Sequence, residues 1–376
     1  MQITGIICEY NPLHNGHKKQ LDAIRAAYPD GGIVCLMSGC YVQRGAPAIF
    51  DPMLRAEAAL DCGADLVLEM PVTGSLSSAE GFAKTGVEIL GGFCDSLCFG
   101  TETGRSETLM NTAQNLLSPE FPDALRTALS TGVSFPKARQ LALKEMGADA
   151  ALLEKPNDIL AVEYCKAILT QGSPMSIFPM PRAGDYHDTI PDPENPSATA
   201  LRALLYTGGD WAPYVPSPEL FQNAPLHSLG SGEKAILYRL RTMTDADFEA
   251  LPYGSEGLWR RLMHAARREN TREEILTAVK SKRYTRTRLD RMLLCAVLGV
   301  TREMLEAPAP YTRVLAMNDT GRKLLKTARK TGIFLNCGEP APDSPYRELE
   351  ERCLSLYGLF ADPPEPPTQK RTTIVK

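Results

Sequence analysis

His14 and His17 stand three residues apart in Asn11-Pro12-Leu13-His14-Asn15-Gly16-His17, directly after the apolar run Ile3 to Ile7. That order predicts a buried strand, a tight loop and the first turn of a helix. Residues i and i+3 share one helix face, so both imidazoles can address one bound group. Backbone N–H groups and the positive dipole end at a helix start favour phosphate, and the imidazoles add donors. Gly16 lets the backbone come close to the ligand. The plainer role, one histidine capping the helix and the other solvated, is outweighed by the order of strand, loop, glycine and helix. A triphosphate suits this chemistry better than a neutral ligand.

A second stretch, Asn195-Pro196-Ser197-Ala198-Thr199-Ala200-Leu201-Arg202, sets hydroxyls at an apparent helix start with an arginine one turn inside. Taken alone it is a capped helix with an exposed arginine.

The elements that must position these residues follow from apolar periodicity. Strands are expected at Ile3 to Ile7, Ile33 to Met37, Leu66 to Leu68, Ser96 to Phe99 and Ser176 to Met180. Helices are expected at His17 to Ala27, Pro52 to Cys62 and Ser78 to Leu90, with more between residues 105 and 172. Strands apolar throughout and separated by helices predict an α/β fold, a Rossmann-like doubly wound parallel sheet with its ligand at the strands' carboxyl ends. The segments at those ends are Ser38 to Ala48 with Arg44, Phe99-Gly100-Thr101-Glu102, and Pro181-Arg182 leading to Tyr186-His187-Asp188. The first reads as a lid or recognition loop. Asn157 reads first as the cap of the helix that follows it.

With 376 residues, 43% hydrophobic and 23% charged, the chain is long enough for two domains of ordinary composition. The first covers residues 1–210, and a helical domain over 211–361 has no sheet signal. The proline-rich stretch 362–376 reads as an extended or disordered tail. No apolar run is long enough to span a membrane, and no signal peptide precedes the first strand, so a cytoplasmic location is expected. Ten scattered cysteines read as reduced core residues, and five histidines leave little for a structural metal site.

The net charge of −4 conceals an asymmetry. Residues 258–291 hold eleven cations and four carboxylates, a local net of +7 that leaves −11 elsewhere. Within them Lys280, Lys282, Arg283, Arg286 and Arg288 surround Tyr284. Cations interleaved with Tyr and Thr favour an RNA backbone over a merely solvated face.

His14-Asn15-Gly16-His17 resembles the His-x-Gly-His signature of the nucleotidyltransferase superfamily, and Ser197 to Arg202 resembles its second signature, which grips the phosphates from the opposite side. Glu9 to His17, Ser38 to Ala48, Gly63 to Glu69, Phe99 to Glu102, Pro156 to Leu160, Tyr186 to Asp188, Ser197 to Arg202 and Lys280 to Arg288 together resemble the bacterial tRNA(Met) cytidine acetate ligase family. The resemblance spans nearly the whole chain and thins after Leu289.

It implies that ATP and acetate give acetyl-adenylate and that the acetyl group passes to N4 of the wobble cytidine of elongator tRNA(Met). The nucleotide is then expected along Ile7, Cys8, Glu9, Tyr10, Asn11, Pro12, Leu13, His14, Asn15, Gly16, His17, Lys18, Lys19 and Gln20, and against Gly100, Asn157 and Arg182. His14 and His17 would serve the α and β phosphates, and Ser197, Thr199 and Arg202 the leaving pyrophosphate. The resemblance also allows for Mg²⁺ bridging the phosphates, and no protein metal ligand is assigned. No membrane and no protein partner is implied. Leu13 departs from the family's Phe, and Cys40-Tyr41 from its Asn-Phe, positions expected to bear on the acetate pocket.

Two other readings use the same residues. A small-molecule nucleotidyltransferase has no need of the basic helical half, and a non-catalytic nucleotide-dependent RNA-binding protein has no need of an intact clamp.

Overall fold

The computed structural model describes residues 1–102, 105–181, 192–193, 195–281, 283–309, 311–328, 335–336, 345–367 and 372–376. The described strands are β1 (Ile3–Cys8), β2 (Gly32–Ser38), β3 (Tyr41–Val42), β4 (Ala46–Pro47), β5 (Leu66–Met70), β6 (Ser96–Thr101), β7 (Ser176–Pro181), β8 (Thr312–Met317), β9 (Leu335–Asn336) and β10 (Ile374–Val375). β3 and β4 form a small hairpin, and the others make one sheet in the order β10-β8-β5-β2-β1-β6-β7 with β9 beside β8. The pairings in this sheet are parallel except β5 with β8.

β1, β2 and β5 are buried at every residue, as expected of apolar strands covered on both faces. Alternation divides their side chains between two cores. Ile3, Ile7, Val34 and Leu36 pack on one face with helices α3 (Ala79–Leu90) and α4 (Pro156–Gln171), which follow α1 (Asn15–Ala27) and α2 (Pro52–Asp61) in the chain. Ile6, Cys8, Cys35 and Met37 pack on the other with residues of α1 and α2. The chain passes from β1 to β2 and β5 on one side, then returns to β6 and β7 on the other. The topological switch point is therefore at the carboxyl ends of β1 and β6.

α5 (Ala198–Thr207) follows β7. Helices α6 (Leu258–Arg268), α7 (Arg272–Val279), α8 (Arg286–Leu298) and α9 (Pro345–Tyr357) enclose a third core that includes Leu262, Leu276, Leu294 and Tyr357. The expectation of no sheet beyond residue 210 is corrected here. β8 joins the sheet beside β5, and in the tail Ile374 pairs with Ala316. The strand is hard to read because it opens on Thr312 and Arg313, leaving an apolar run of only four residues, Val314 to Met317. In the fold that charge meets Glu69 at 3.3 Å and Glu350 at 2.6 Å.

The nine described cysteines are buried and free of disulfides. Burial pushes the Cys98 thiol up to about 12, which keeps it protonated.

Candidate active site

β1 runs into Glu9 and Tyr10, and the chain turns so that His14 caps α1. His14 is 2% exposed and His17 half-buried. Their rings stack at 3.7 Å with 22° between planes, and Tyr10 meets His17 edge-on at 5.0 Å. The His14 N–H donates to His17 Nδ1 at 3.3 Å, so a neutral His17 ring carries its proton on Nε2 and can donate from there. A Cβ on Gly16 would lie 3.2 Å from two atoms of the His14 ring. The glycine thus makes room for the histidine as well as for a ligand.

From the other side, Arg202 on α5 donates Nη1 to Asn11 O at 2.8 Å and Nη2 to Thr199 Oγ1 at 3.2 Å. Ser197 Oγ accepts the Ala200 N–H at 3.1 Å and caps α5. Burial lowers the pKa of Arg202; Glu9 counteracts this, and Arg44 adds to it. Two guanidiniums with a single carboxylate acting on the same site suit a polyanion.

Both sides open onto one cavity of about 530 Å³, a size suited to a nucleotide. Ile7, Cys8, Glu9, Tyr10, Asn11, His14, Gly16, His17, Lys19, Gln20, Gly100, Asn157, Ser197, Thr199 and Arg202 all line it. Pro12, Leu13, Asn15 and Lys18 do not. Leu13 is fully buried in the core, Asn15 donates to the Pro193 and Pro213 carbonyls, and Lys18 pairs with Asp22 at 2.7 Å. Arg182, Tyr186, His187 and Asp188 lie outside the described residues. Cys40 and Tyr41 do not line this cavity either. They belong to the helical core, where Tyr41 Oη donates to Cys353 O at 3.0 Å.

Sequence reasoning missed an apolar wall and two supports. Phe82, Phe99, Leu160 and Tyr164 form one side of the cavity. Arg55, 0% exposed on α2, donates to the carbonyls of Phe50 at 3.0 Å, Glu9 at 2.6 Å, Ser38 at 3.0 Å and Gly39. It ties the ends of β1 and β2 beneath the site. The only clue is a lone arginine in the alanine-rich stretch Arg55-Ala56-Glu57-Ala58-Ala59.

At the end of β6, Glu102 accepts from Asn157 Nδ2 at 2.8 Å and Asp158 N at 2.9 Å, while buried Asp158 accepts from Glu102 N at 2.9 Å and from Thr101 Oγ1. This reciprocal lock fixes the start of α4. Asn157 is therefore held by Glu102, and the position before the helix is Lys155.

The β3–β4 hairpin carries Gln43 and Arg44 into the cavity. The Gln43 N–H donates to Glu9 Oε1 at 2.8 Å, and Arg291 on α8 donates to Gln43 O at 3.2 Å. Gly45, with φ +80°, abuts the backbone of Asp290 and Arg291 where a Cβ would clash.

The five cations expected to meet RNA differ in setting. Arg286 holds Glu273 with two bonds of 2.7 and 2.6 Å and also pairs with Asp290 at 3.2 Å. Arg288 donates to Tyr253 O at 2.8 Å and Ser255 Oγ at 3.1 Å. Arg283 pairs with Glu256 at 3.1 Å between exposed side chains, and Lys280 is exposed. Lys282 lies outside the described residues.

A Rossmann-type sheet with paired imidazoles and an arginine around a cavity at its switch point is the arrangement of a nucleotidyl transferase. Residues 1–363 match the HIGH nucleotidyl transferase family, and the chain belongs to it. It is 38% identical over 352 residues to the tRNA(Met) cytidine acetate ligase of Clostridium novyi (strain NT), which covers 88% of each chain. To the enzyme of that name from Geobacillus sp. (strain WCH70) it is 34% identical over 398 residues, covering 100% of this chain and 98% of the other. Among solved structures, Thermotoga maritima TmcAL superposes with a TM-score of 0.90 in an apo form and 0.89 bound with alpha-thio ATP. Each is 29% identical, with 100% of this chain and 99% of the other covered. No described helix is long and apolar enough to cross a membrane.

Proposed function

We propose that this chain is a tRNA(Met) cytidine acetate ligase. The observation that carries the reading is that His14, His17, Thr199 and Arg202, from opposite ends of a two-hundred-residue segment, line one nucleotide-sized cavity. An acetate oxygen attacks the α-phosphorus of ATP, a C(O)O–P bond forms, and the bond to the β-phosphate oxygen breaks to release pyrophosphate. Charge builds on phosphate oxygens, so the reaction needs positioned donors and cations rather than a nucleophilic side chain. His14 and His17 face the α and β phosphates, and Arg202 with Ser197 and Thr199 takes the departing pyrophosphate. The cytidine N4 amine then attacks the acetyl carbonyl, AMP leaves, and the amine proton passes to solvent.

In this reading the nucleotide lies along the segment of Ile7 to Asn11, His14, Gly16, His17, Lys19 and Gln20, and against Gly100 and Asn157. Glu9 is the one carboxylate lining the cavity among the described residues. Mg²⁺ would therefore be held chiefly by phosphates and water, as this ion favours. Residues 1–210 carry the chemistry and the helical region within 211–361 carries elongator tRNA(Met), in the cytoplasm, with β8 and the tail returning to the sheet.

Incubation with ATP, labelled acetate and tRNA tests the proposal. The expected products are pyrophosphate and labelled N4-acetylcytidine, with acetate-dependent ATP–pyrophosphate exchange already present without tRNA. Pyrophosphate release that ignores acetate and follows another acceptor would make the protein a small-molecule nucleotidyltransferase. ATP and tRNA binding without any product would make it a non-catalytic binder.

A further inference from the structure

The positive charge of residues 258–291 is presented unevenly. Arg286 and Arg288 are engaged within the fold, but α6 differs. Arg260, Arg261, His264, Arg267 and Arg268 recur at the spacing of one helix face, and all five are exposed. Opposite them Leu258, Leu262, Met263, Ala265 and Ala266 are buried.

Arg267 and Arg268 complement the dipole in the last turn. Arg260 and Arg261 sit in the first turns, where the same dipole opposes cations, and no acidic residue accompanies them there. The helix alone gains nothing from that placement; an external polyanion does.

Among the described residues the only ion pair on this face is Arg267 with Asp245 at 2.5 Å, and those side chains are 46% and 68% exposed. Such a pair is screened by water and yields readily to a competing anion. Arg260 lies over the Trp259 ring at 4.8 Å, and Arg261 reaches the Ala278 carbonyl at 3.5 Å, near exposed Lys280 beyond α7.

We infer that this face of α6, extended by Lys280, is the track on which an RNA phosphodiester backbone lies. From Arg260 to Arg268 the row rises about 12 Å, enough to meet several phosphates. The proposed function supplies the identity of that polyanion as tRNA, so the inference rests on it.

The test uses the full chain and unmodified tRNA(Met), with the dissociation constant measured between 50 and 200 mM salt. The variant R260E/R261E/R267E/R268E is expected to bind at least roughly tenfold more weakly. Its log–log salt slope should be shallower by about 3, at about 0.7–0.9 per lost phosphate contact. The charge-keeping variant R260K/R261K/R267K/R268K should retain the slope within about one unit, which separates charge from folding, and circular dichroism confirms the helix in both. An unchanged affinity and slope in the folded glutamate variant overturns the inference. Acetate-dependent exchange by the unaltered protein without tRNA reads the proposed reaction separately. Exchange with an unmoved slope removes the surface alone, whereas loss of exchange removes the reaction.

Discussion

The two sides of the cavity are built differently. The histidine side grows out of the sheet's centre: β1 is buried throughout, and Arg55 ties the Glu9 carbonyl at its end to those of Ser38 and Gly39 at the end of β2. The arginine side is joined from outside. α5 buries only Ala200, Leu201 and Leu205 along its length, Thr199 is exposed, and Arg202 reaches the histidine loop through its bond to Asn11 O. On the first side the reacting histidines follow directly from a buried, fastened strand end. On the second, a cap and a cross-loop hydrogen bond set the geometry, so effects there should be smaller and separable.

The largest expected effect falls beneath the histidine side. Arg55→Met leaves three buried carbonyls and a part-buried one without this donor and should cost roughly 3–5 kcal/mol of stability, read by urea denaturation. A loss under about 1 kcal/mol would mean that the β1 end does not depend on its support.

Next, His14→Ala or His17→Ala should slow acetate-dependent pyrophosphate exchange roughly 10²–10³-fold, about 2.7–4 kcal/mol of transition-state stabilisation. Exchange at the original rate in either variant would remove the phosphate assignment. The smallest effect belongs to the arginine side. Ser197→Ala deletes the cap of α5 and should cost about 1 kcal/mol, while Ser197→Asn restores most of it. A loss for Ser197→Ala as large as that for Arg55→Met would erase the contrast between the two sides.

Much of the site was readable from local pattern. His14 and His17 share a face because helical spacing says so, and Ser197 caps its helix because a hydroxyl before an apolar turn commonly does. Arg44 was readable as a loop residue near strand ends, but its delivery into the cavity depends on Gly45 packing on the backbone of Asp290 and Arg291. Arg55 was not readable, since an arginine's burial depends on carbonyls that arrive from two other segments, Glu9 and Ser38-Gly39. Lys18 shows the converse limit of local pattern. It is adjacent to His17 in sequence, yet helical geometry turns it toward Asp22.

The same contrast holds for the basic segment. Its charge is plain from composition, but which arginines are engaged depends on Glu273, Asp290 and Tyr253 folding against them. Apolar runs and helical spacing concern residues that are neighbours in the chain, so strand, loop, helix and paired histidines could be read without the fold. Joining Asn11 to Arg202, placing β8 beside β5 and sorting exposed from engaged cations all depend on contacts between distant segments. Those contacts arise when chain segments compete for buried hydrogen bonds and apolar cover, a competition that no short window of sequence contains.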